Sequence, residues 1–409
     1  MSKKSANNSR NIPQDNDRRG RFGYYARVKL FENIFPAAFK SRPNRFVVEC
    51  LLDGRTVRAY LPNPGRLWEL LFPDVTMYLT PMLPAAGRKL RYLAVAVDRD
   101  GMPVMLHTHH TNTVAAKLIR DGRIPGLEGA EIVKPEHRVG RSRFDFLLRK
   151  DEKDFLLEVK SCTLFHHTLA MFPDAVSARA TKHLRELAEL ARKGYATGVL
   201  FVVHSPQARY FMPEHHTDLE FSRTLYNVRK SVMVRAVSVE WQRDLSLGRN
   251  VRELAIPWDL VDRETHDRGS YIVVLKLPRD RRIAVGGLGE MKFRKGYYLY
   301  AGSTLKDLTR RLARHQRLSK KHHWHIDYLR EHAEYVAGVP FRTSQDLECG
   351  IAGALSGISD WQVKGFGCSD CNCISHLFAM AEDPFRMRKF SDLLLQFRMG
   401  KLEEELNSR

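Results

Sequence analysis

Two stretches of the sequence place carboxylates and a lysine where they could cleave a phosphodiester. Residues 143–148 and 155–160 are predicted to be the strands of a hairpin around a short polar turn. With the turn centred between them, Asp145 faces Glu158, and Lys160 lies on the same face because strand side chains alternate. Two carboxylates can hold Mg²⁺ or Mn²⁺ while the ammonium orients the attacking water. The alternative interpretation is that all three are solvent-facing charges on an antiparallel pair.

A second group of such side chains lies further along the chain. Tyr271 and Tyr300 are on predicted strands, Arg311 and His315 are four residues apart on a predicted helix, and Glu348 follows. A tyrosine can act as a general base or a hydrogen-bond donor, an arginine can stabilise charge on a phosphate, and a glutamate can hold a metal ion. The alternative is that the tyrosines pack in a core beside a basic helix.

Cysteine and histidine residues near the C-terminus suggest a third site. Cys371, Cys373 and His376 are close in sequence, and thiolate and imidazole are zinc ligands, although this spacing is compact for a tetrahedral zinc site. His323 and His325 alternate along a predicted strand and could supply the missing ligands. The alternative is a set of reduced structural thiols that binds no metal.

The charge of the chain indicates a polyanionic partner. Its 409 residues include 67 Lys and Arg against 47 Asp and Glu, a net charge of +20, and more than half of that excess lies at 276–330. Nucleic acid is the favoured partner. With no apolar run long enough for a membrane span and no secretory signal, we expect a cytoplasmic, nucleoid-associated protein without a membrane partner. The 43% hydrophobic residues exclude a wholly disordered chain.

The secondary structure predicted around these residues suggests a multidomain β and α/β protein. Five short strands are predicted at 46–52, 56–61, 75–80, 90–97 and 104–107. The predicted segments are a disordered basic tail (1–23), a small OB-like barrel (24–110), an α/β domain (111–245), a linker (246–268), a second α/β domain (269–383) and a terminal amphipathic helix (384–409). On the helix predicted from Leu305, we expect Leu308 and Leu312 to be buried with Leu305, and Arg311 and His315 to point away from the core.

The first part of the chain, about 24–245, resembles the sugar fermentation stimulation protein (SfsA) family. The matching blocks keep the family's order and lie at 61–67, 142–148, 157–161, 172–176 and 182–187. The resemblance implies an OB-like barrel followed by a PD-(D/E)XK nuclease-like domain, with DNA binding, and places Asp145, Glu158 and Lys160 on that superfamily's site pattern. Ala116 or Lys117 stands where we expect a family glutamate, so a third acidic contribution is missing.

The last part of the chain, about 268–382, resembles a branch of the GIY-YIG nuclease superfamily. The matching motifs are Gly269-x-Tyr271, Tyr300 to Ser303, Leu308 to His315, 321–329 and Glu348-Cys349. The resemblance implies that Tyr271 and Tyr300 are the motif tyrosines, Arg311 the catalytic arginine and Glu348 the metal-binding glutamate. Ser270 and Ala301 replace the isoleucines of the superfamily's name.

These observations predict a DNA-binding protein with divalent-metal-dependent endonuclease activity. The alternative is a non-catalytic regulatory or nucleoid-associated DNA-binding protein. DNA is favoured over RNA, and nothing in the sequence resembles a site for a small-molecule sugar. Because nucleic acids are held by basic side chains and aromatic platforms, the predicted nucleic-acid contacts are Arg58, Tyr60, Arg66, Arg179, Lys182 and Arg314.

Overall fold

The N-terminal part of the chain forms a closed barrel. The computed structural model describes residues 29–83, 89–140 and 142–409, so the predicted tail at 1–23 lies outside the described residues. The strands here are β1 (Phe35–Asn44), β2 (Val47–Leu52), β3 (Arg55–Tyr60), β4 (Thr76–Pro81), β5 (Tyr92–Arg99) and β6 (Met102–Met105). They are ordered β3-β2-β1-β4-β5-β6, and β3 also pairs with β5. The pairing of β3 with β5 closes β1 to β5 into the predicted OB-like barrel.

One barrel strand escapes the sequence pattern. The five predicted runs correspond to β2 to β6, whereas β1 belongs to the closed ring and β6 only extends it. β1 contains Pro36 and Pro43 together with two basic residues, which are poor strand signals. It is nevertheless a strand because Ala37 and Phe39 are buried in the barrel core.

The second domain is a mixed sheet with helices on both faces. Its elements are α1 (His110–Arg120), β7 (Glu131–Val139), β8 (Ser142–Lys150), β9 (Lys153–Cys162), β10 (Leu164–Phe165), β11 (Leu169–Phe172), α2 (Ala178–Arg192), β12 (Ala196–Val203), β13 (Tyr210–Pro213), α3 (Leu219–Val228) and β14 (Met233–Trp241). The main sheet has the order β15-β14-β12-β9-β8-β7, in which β15 is Leu247–Glu253 and β12 runs parallel to its neighbours. Alternate strand residues pack on opposite faces: Leu157 contacts the core beneath α1, whereas Leu156 contacts the core beneath α2.

The stretch predicted to be a linker, 246–268, is folded. β15 pairs antiparallel with β14, and it is followed by α4 (Trp258–Glu264), whose Leu260 and Val261 are buried. The linker prediction is therefore wrong. β15 is an edge strand with mostly exposed residues and α4 is short, so neither produces a clear apolar period.

The C-terminal domain is an antiparallel sheet between two layers of helices. Its elements are β16 (Gly269–Leu277), β17 (Arg281–Ala284), β18 (Glu290–Phe293), β19 (Gly296–Thr304), α5 (Leu308–Gln316), α6 (His325–Arg330), β20 (Glu334–Arg342), α7 (Glu348–Ile358), β21 (Trp361–Gln362), β22 (Leu377–Met380), α8 (Arg388–Leu395) and α9 (Lys401–Asn407). The five-stranded sheet has the order β20-β16-β19-β22-β21. Its strands bury Val273 beneath α5 and α6, and Ile272 beneath α7 and α8.

The terminal helices join the domains. A π-helical segment, Gln396–Gly400, links α8 to α9. Leu394 packs in the core of the C-terminal domain, whereas Met399 and Leu406 pack against Leu169 and Met212 of the second domain. Apolar burial therefore extends across the boundary between these domains. In the described part of the chain, no helix is both long and apolar enough to cross a membrane.

Candidate functional site

The hairpin of β8 and β9 brings the predicted carboxylates and lysine together. Its register is the predicted one, with Phe146 opposite Leu157. Lys160 Nζ donates to Glu158 Oε1 at 2.5 Å, and Asp145 Oδ2 accepts from the backbone N–H of Val159 at 2.7 Å. The side chain of Glu158 is 5% exposed and that of Lys160 15%, so the interpretation of these two residues as solvated surface charges is wrong.

Two helices supply further contacts to this group. Asn112 in the first turn of α1 donates from Nδ2 to Asp145 Oδ1 at 2.7 Å, and His183 Nδ1 of α2 lies 2.6 Å from Glu158 Oε1. Lys117, one of the two positions where a family glutamate was expected, forms an ion pair with Asp121 at 2.8 Å. The contact from α1 to Asp145 therefore comes from Asn112, in the turn that begins at His110.

Burial and hydrogen bonding set the electrostatics of the two carboxylates. Burial, reinforced by the charge of Glu158, raises the pKa of Asp145. Burial alone would also raise the pKa of Glu158, but the hydrogen bond from His183 and the charge of Lys160 outweigh it and lower that pKa. Glu158 is therefore the more firmly ionised of the pair.

The group fits an oxygen-preferring divalent cation. Among the described residues, Glu158 Oε2 is buried and has no hydrogen-bond partner, which is costly for a carboxylate oxygen unless a ligand satisfies it. Each oxygen of Asp145 accepts one hydrogen bond, which leaves lone pairs available. Carboxylate oxygens suit Mg²⁺, Mn²⁺ and Ca²⁺ rather than softer metals.

A cleft of about 660 Å³ opens over these residues between the barrel and the second domain. Its walls include the predicted contacts Tyr60 and Arg179. Arg45, Phe46 and Arg143 also line it, although sequence reasoning did not identify them. Phe46 is 46% exposed and stacks on Tyr60 with ring centroids 6.3 Å apart. The signal available in the sequence for these contacts was an aromatic residue directly after an arginine, Arg45-Phe46.

The loops that contain the blocks at 61–67 and 172–176 hold the two walls of the cleft together. Arg66 donates from Nε to Asp174 O at 2.6 Å and from Nη2 to Thr217 Oγ1 at 2.8 Å, so it holds the barrel to the second domain. A Cβ on Gly65 would lie 2.3 Å from Asp174 Oδ2, and only glycine allows this approach. The two blocks at 61–67 and 172–176 are therefore in direct contact.

Three other predicted nucleic-acid contacts have partners within the protein. Arg58 pairs with Glu49 at 2.8 Å, and Lys182 lies 3.6 Å from Glu186. Arg314 pairs with the buried carboxylate of Asp327 at 3.0 Å. Arg66 and Arg314 hold parts of the fold together, whereas Arg179 is exposed beside the cleft.

The tyrosines and histidine of the C-terminal domain also converge. The Tyr271 hydroxyl shares a hydrogen bond with His315 Nε2 at 3.0 Å, and the Tyr300 ring lies 6.2 Å from that imidazole. A Cβ on Gly302 would lie 2.5 Å from the Tyr271 hydroxyl, which accounts for a glycine at this motif position. Burial raises the pKa of both tyrosines and lowers the pKa of His315 to about 3.

Two predictions about α5 are wrong. Leu305 is 91% exposed, because the helix begins only after Asp307 in the left-handed conformation. His315 is 1% exposed rather than pointing away from the core, because Tyr271 gives it a buried polar partner. Arg311 lies on the ring of Trp324, with 4.3 Å between the guanidinium carbon and the ring centroid.

Glu348 lies next to the cysteine cluster. Its Oε1 is 2.9 Å from His376 Nδ1, and Ser303 Oγ donates to its Oε2. Ligand atoms of Cys349, Cys371, Cys373 and His376 all lie within 4.8 Å of one another. Cys349 was missed as a member of the cluster because it is 22 positions from Cys371, and folding alone brings it near.

His323 and His325 do not join the cluster, contrary to the suggestion from their spacing. The His323 ring contacts Trp324 with centroids 4.6 Å apart. His325 Nδ1 accepts from the backbone N–H of Gly367 at 3.3 Å. They are not on one strand, because residues 325–330 form α6.

Three family profiles match separate parts of the chain. "SfsA N-terminal OB domain" matches residues 41–106, and "Sugar fermentation stimulation protein RE domain" matches 109–244. "Domain of unknown function DUF123" matches 270–399, which includes all of α8 and all but the last residue of the π-helical segment.

Relatives and a solved structure each cover about half of this chain. The sugar fermentation stimulation protein homolog of Methanothermobacter thermautotrophicus is 35% identical over 232 residues, 56% of this chain and 96% of that protein. The homolog of Methanosphaera stadtmanae is 39% identical over 201 residues, 48% of this chain and 83% of that protein. The structure of Pyrococcus furiosus SfsA in complex with Ca²⁺ is 32% identical with a TM-score of 0.51, covering 56% of this chain and 99% of that one.

Proposed function

Because the chain belongs to the sugar fermentation stimulation protein family, we propose that it binds DNA between its barrel and second domain and cleaves it there with a divalent metal ion. The observation that carries this proposal is the joint position of Asp145, Glu158 and Lys160 in the interdomain cleft, where Glu158 Oε2 is buried and lacks a hydrogen-bond partner in the described part of the chain. The C-terminal domain lies outside the two SfsA profiles, which end at residue 244.

The choice of metal follows from the ligand atoms. Asp145 and Glu158 would hold Mg²⁺ or Mn²⁺, and the related Pyrococcus furiosus protein was solved with Ca²⁺, which also prefers oxygen ligands. When bound, such an ion stabilises charge on a phosphate and lowers the pKa of a coordinated water.

The protein's own side chains have distinct roles in this proposal. Lys160 places a positive charge beside Glu158, where it stabilises negative charge that develops on a phosphate. His183 holds Glu158 Oε1 and so restricts rotation of the carboxylate. Asn112 does the same for Asp145. The two carboxylates are therefore held in place before substrate arrives.

The path of a nucleic-acid strand is suggested by a second, neighbouring cavity of about 500 Å³. Arg45, Gly65 and Ala175 line both spaces, so the two are adjacent. The second cavity extends to Phe385 of the C-terminal domain, whose ring lies 4.1 Å from that of Trp68. Basic walls with exposed aromatic faces suit a single strand.

A cleavage assay tests the proposal directly. The full chain is incubated with single-stranded, duplex and branched DNA, and with RNA, in the presence of Mg²⁺, Mn²⁺ or EDTA. We expect metal-dependent cleavage of at least one DNA substrate. Binding of DNA without cleavage under every condition would instead support the non-catalytic regulatory or nucleoid-associated function.

Arg179 should contribute one phosphate contact to DNA binding. Duplex affinity should fall with salt at a log–log slope of about −0.9 per neutralised phosphate. Arg179→Ala should weaken binding and make that slope shallower by about 1, because this exposed side chain borders the cleft. Fluorescence anisotropy across a salt series measures both quantities.

Arg192→Ala is the matched control for this measurement. Arg192 is also exposed on α2, but at its opposite end, about 20 Å away at 1.5 Å per residue. An unchanged slope for Arg179→Ala, or an equal change for Arg192→Ala, would contradict the position proposed for the strand.

The C-terminal domain is a second candidate nuclease, of the GIY-YIG type. The observation that favours it is the convergence of Tyr271, Tyr300 and His315 in one buried cluster. Burial raises the pKa of Tyr271, and Arg311 is close enough for its positive charge to offset part of that rise. Arg311 would stabilise phosphate charge, and Glu348 would hold a metal ion. The variants Glu158→Gln and Glu348→Gln distinguish cleavage by this domain from cleavage in the interdomain cleft.

A further inference from the structure

Three cysteines and a histidine from two separate segments meet at one point of the C-terminal domain. Cys349 is in the first turn of α7, whereas Cys371, Cys373 and His376 come from the loop between β21 and β22. Their ligand atoms lie within 4.8 Å of one another, and Cys371 Sγ is 3.3 Å from His376 Nε2. The loop residues alone offer three ligands, and α7 supplies a fourth.

We propose that Cys349, Cys371, Cys373 and His376 bind one zinc ion in tetrahedral geometry. Zn–S and Zn–N bonds of about 2.3 and 2.0 Å put neighbouring ligand atoms of a tetrahedral site about 3.5 to 4 Å apart. The observed atoms need to move by no more than about 1 Å to reach that arrangement. Three thiolates and one imidazole select zinc over the oxygen-preferring cations of the interdomain cleft.

Ordinary core packing does not account for this cluster. Buried structural thiols lie inside a core, as Cys50 and Cys162 do, but Cys349 is exposed and Cys371 and Cys373 are only half-buried. The loop at 363–376 contains no helix or strand, and its Ile374 is 61% exposed. A bound metal would fix this loop to α7 where few apolar contacts do so.

The zinc would also position Glu348. When His376 binds metal through Nε2, its Nδ1 carries the proton and faces Glu348 Oε1 at 2.9 Å. Glu348 also immediately precedes the ligand Cys349 in α7. Glu348 is therefore constrained through the chain and through space by two zinc ligands. This consequence for activity rests on the second candidate function, whereas zinc binding itself does not.

Metal analysis of the full chain tests the site without reference to activity. Purified under reducing conditions, the wild type should contain one zinc per chain by elemental analysis. Chelation should release it and expose three further thiols to a thiol reagent, those of Cys349, Cys371 and Cys373. Cobalt substitution should give thiolate-to-metal charge-transfer bands and the visible bands of tetrahedral Co²⁺.

Cys349→Ser and Cys368→Ser form the critical pair of variants. Cys349→Ser should lower zinc affinity by at least about tenfold, whereas Cys368→Ser should keep one zinc, because Cys368 is nearby in sequence but outside the cluster. Circular dichroism tests whether each variant is folded. If a variant does not fold, cobalt titration of the wild type tests the site in its place.

Several results would overturn the zinc site. These are a wild type that binds no zinc after reduction and reconstitution, stoichiometric iron in its place, chelation that exposes no thiols, or undiminished zinc affinity in Cys349→Ser. None of them bears on the interdomain cleft. Equally, an inactive protein that binds one zinc would support the site while contradicting the proposed cleavage.

Discussion

Glu158→Gln should lower metal-dependent DNA cleavage by at least about 100-fold. Loss of a residue that only supports a metal ligand typically costs 10- to 100-fold, so loss of a direct ligand should cost at least as much. The substitution keeps the size of the side chain but removes the charge that offsets Lys160 and His183. Single-turnover cleavage rates and Mn²⁺ affinity, measured on the same samples, should fall together.

Glu348→Gln is the matched variant for the C-terminal domain. If the interdomain cleft performs cleavage, Glu348→Gln should retain the wild-type rate on the same substrate. Loss of activity in Glu348→Gln alone would assign cleavage to the C-terminal domain. Equal rates above background for the wild type and both variants would exclude both carboxylates from the reaction, whereas background rates for all three would leave DNA binding as the function.

Arg398→Met should destabilise the folded chain by about 3 to 5 kcal/mol, the cost of removing one partner from a buried ion pair. Arg398 Nη1 of the π-helical segment lies 3.6 Å from Glu214 Oε1 of the second domain, and their side chains are 8% and 0% exposed. Burial lowers the pKa of Arg398 to about 10, so it remains charged at neutral pH. Its loss would remove the ion-pair partner of the buried Glu214 at the domain boundary. Urea unfolding followed by two probes measures the change.

Arg388→Met is the control that removes an exposed ion pair between domains instead of a buried one. Arg388 also joins the C-terminal helices to the rest of the chain, through Asp100 at 2.5 Å, but both side chains are more than half exposed. We expect a change of at most about 1 kcal/mol there. Adding Glu214→Gln to Arg398→Met should recover part of the lost stability, because the buried charge disappears. If Arg398→Met and Arg388→Met lowered the free energy of unfolding equally, burial of the Arg398–Glu214 pair would not be the cause of the predicted loss.

Features that depend on neighbouring residues were predicted from the sequence. The hairpin of β8 and β9 has the predicted register because alternation and a short turn define it locally. Helix α2 likewise follows a local signal, because its buried apolar residues recur at helical spacing. The OB-like barrel and the two α/β domains were also predicted correctly as a fold class, as the family profiles confirm.

Features that depend on distant residues were missed. β1 and β15 are strands because of their partners in the sheets, although their own compositions are unfavourable. Asn112 and His183 reach the carboxylates only after α1 and α2 pack on opposite sides of the hairpin. Each comes from a different element, so no local pattern connects them with Asp145 or Glu158.

Local patterns in the chain identify its reactive groups: two carboxylates and a lysine on one hairpin, and tyrosine, arginine and cysteine motifs in its last third. Which of these groups meet depends on how the chain folds. Arg66 was predicted to contact nucleic acid but joins two domains, and Cys349 completes a cluster it does not adjoin in sequence. The physical reason is that side-chain periodicity acts over a few residues, whereas burial, ion pairing and ligand geometry are set by packing between elements far apart in the chain.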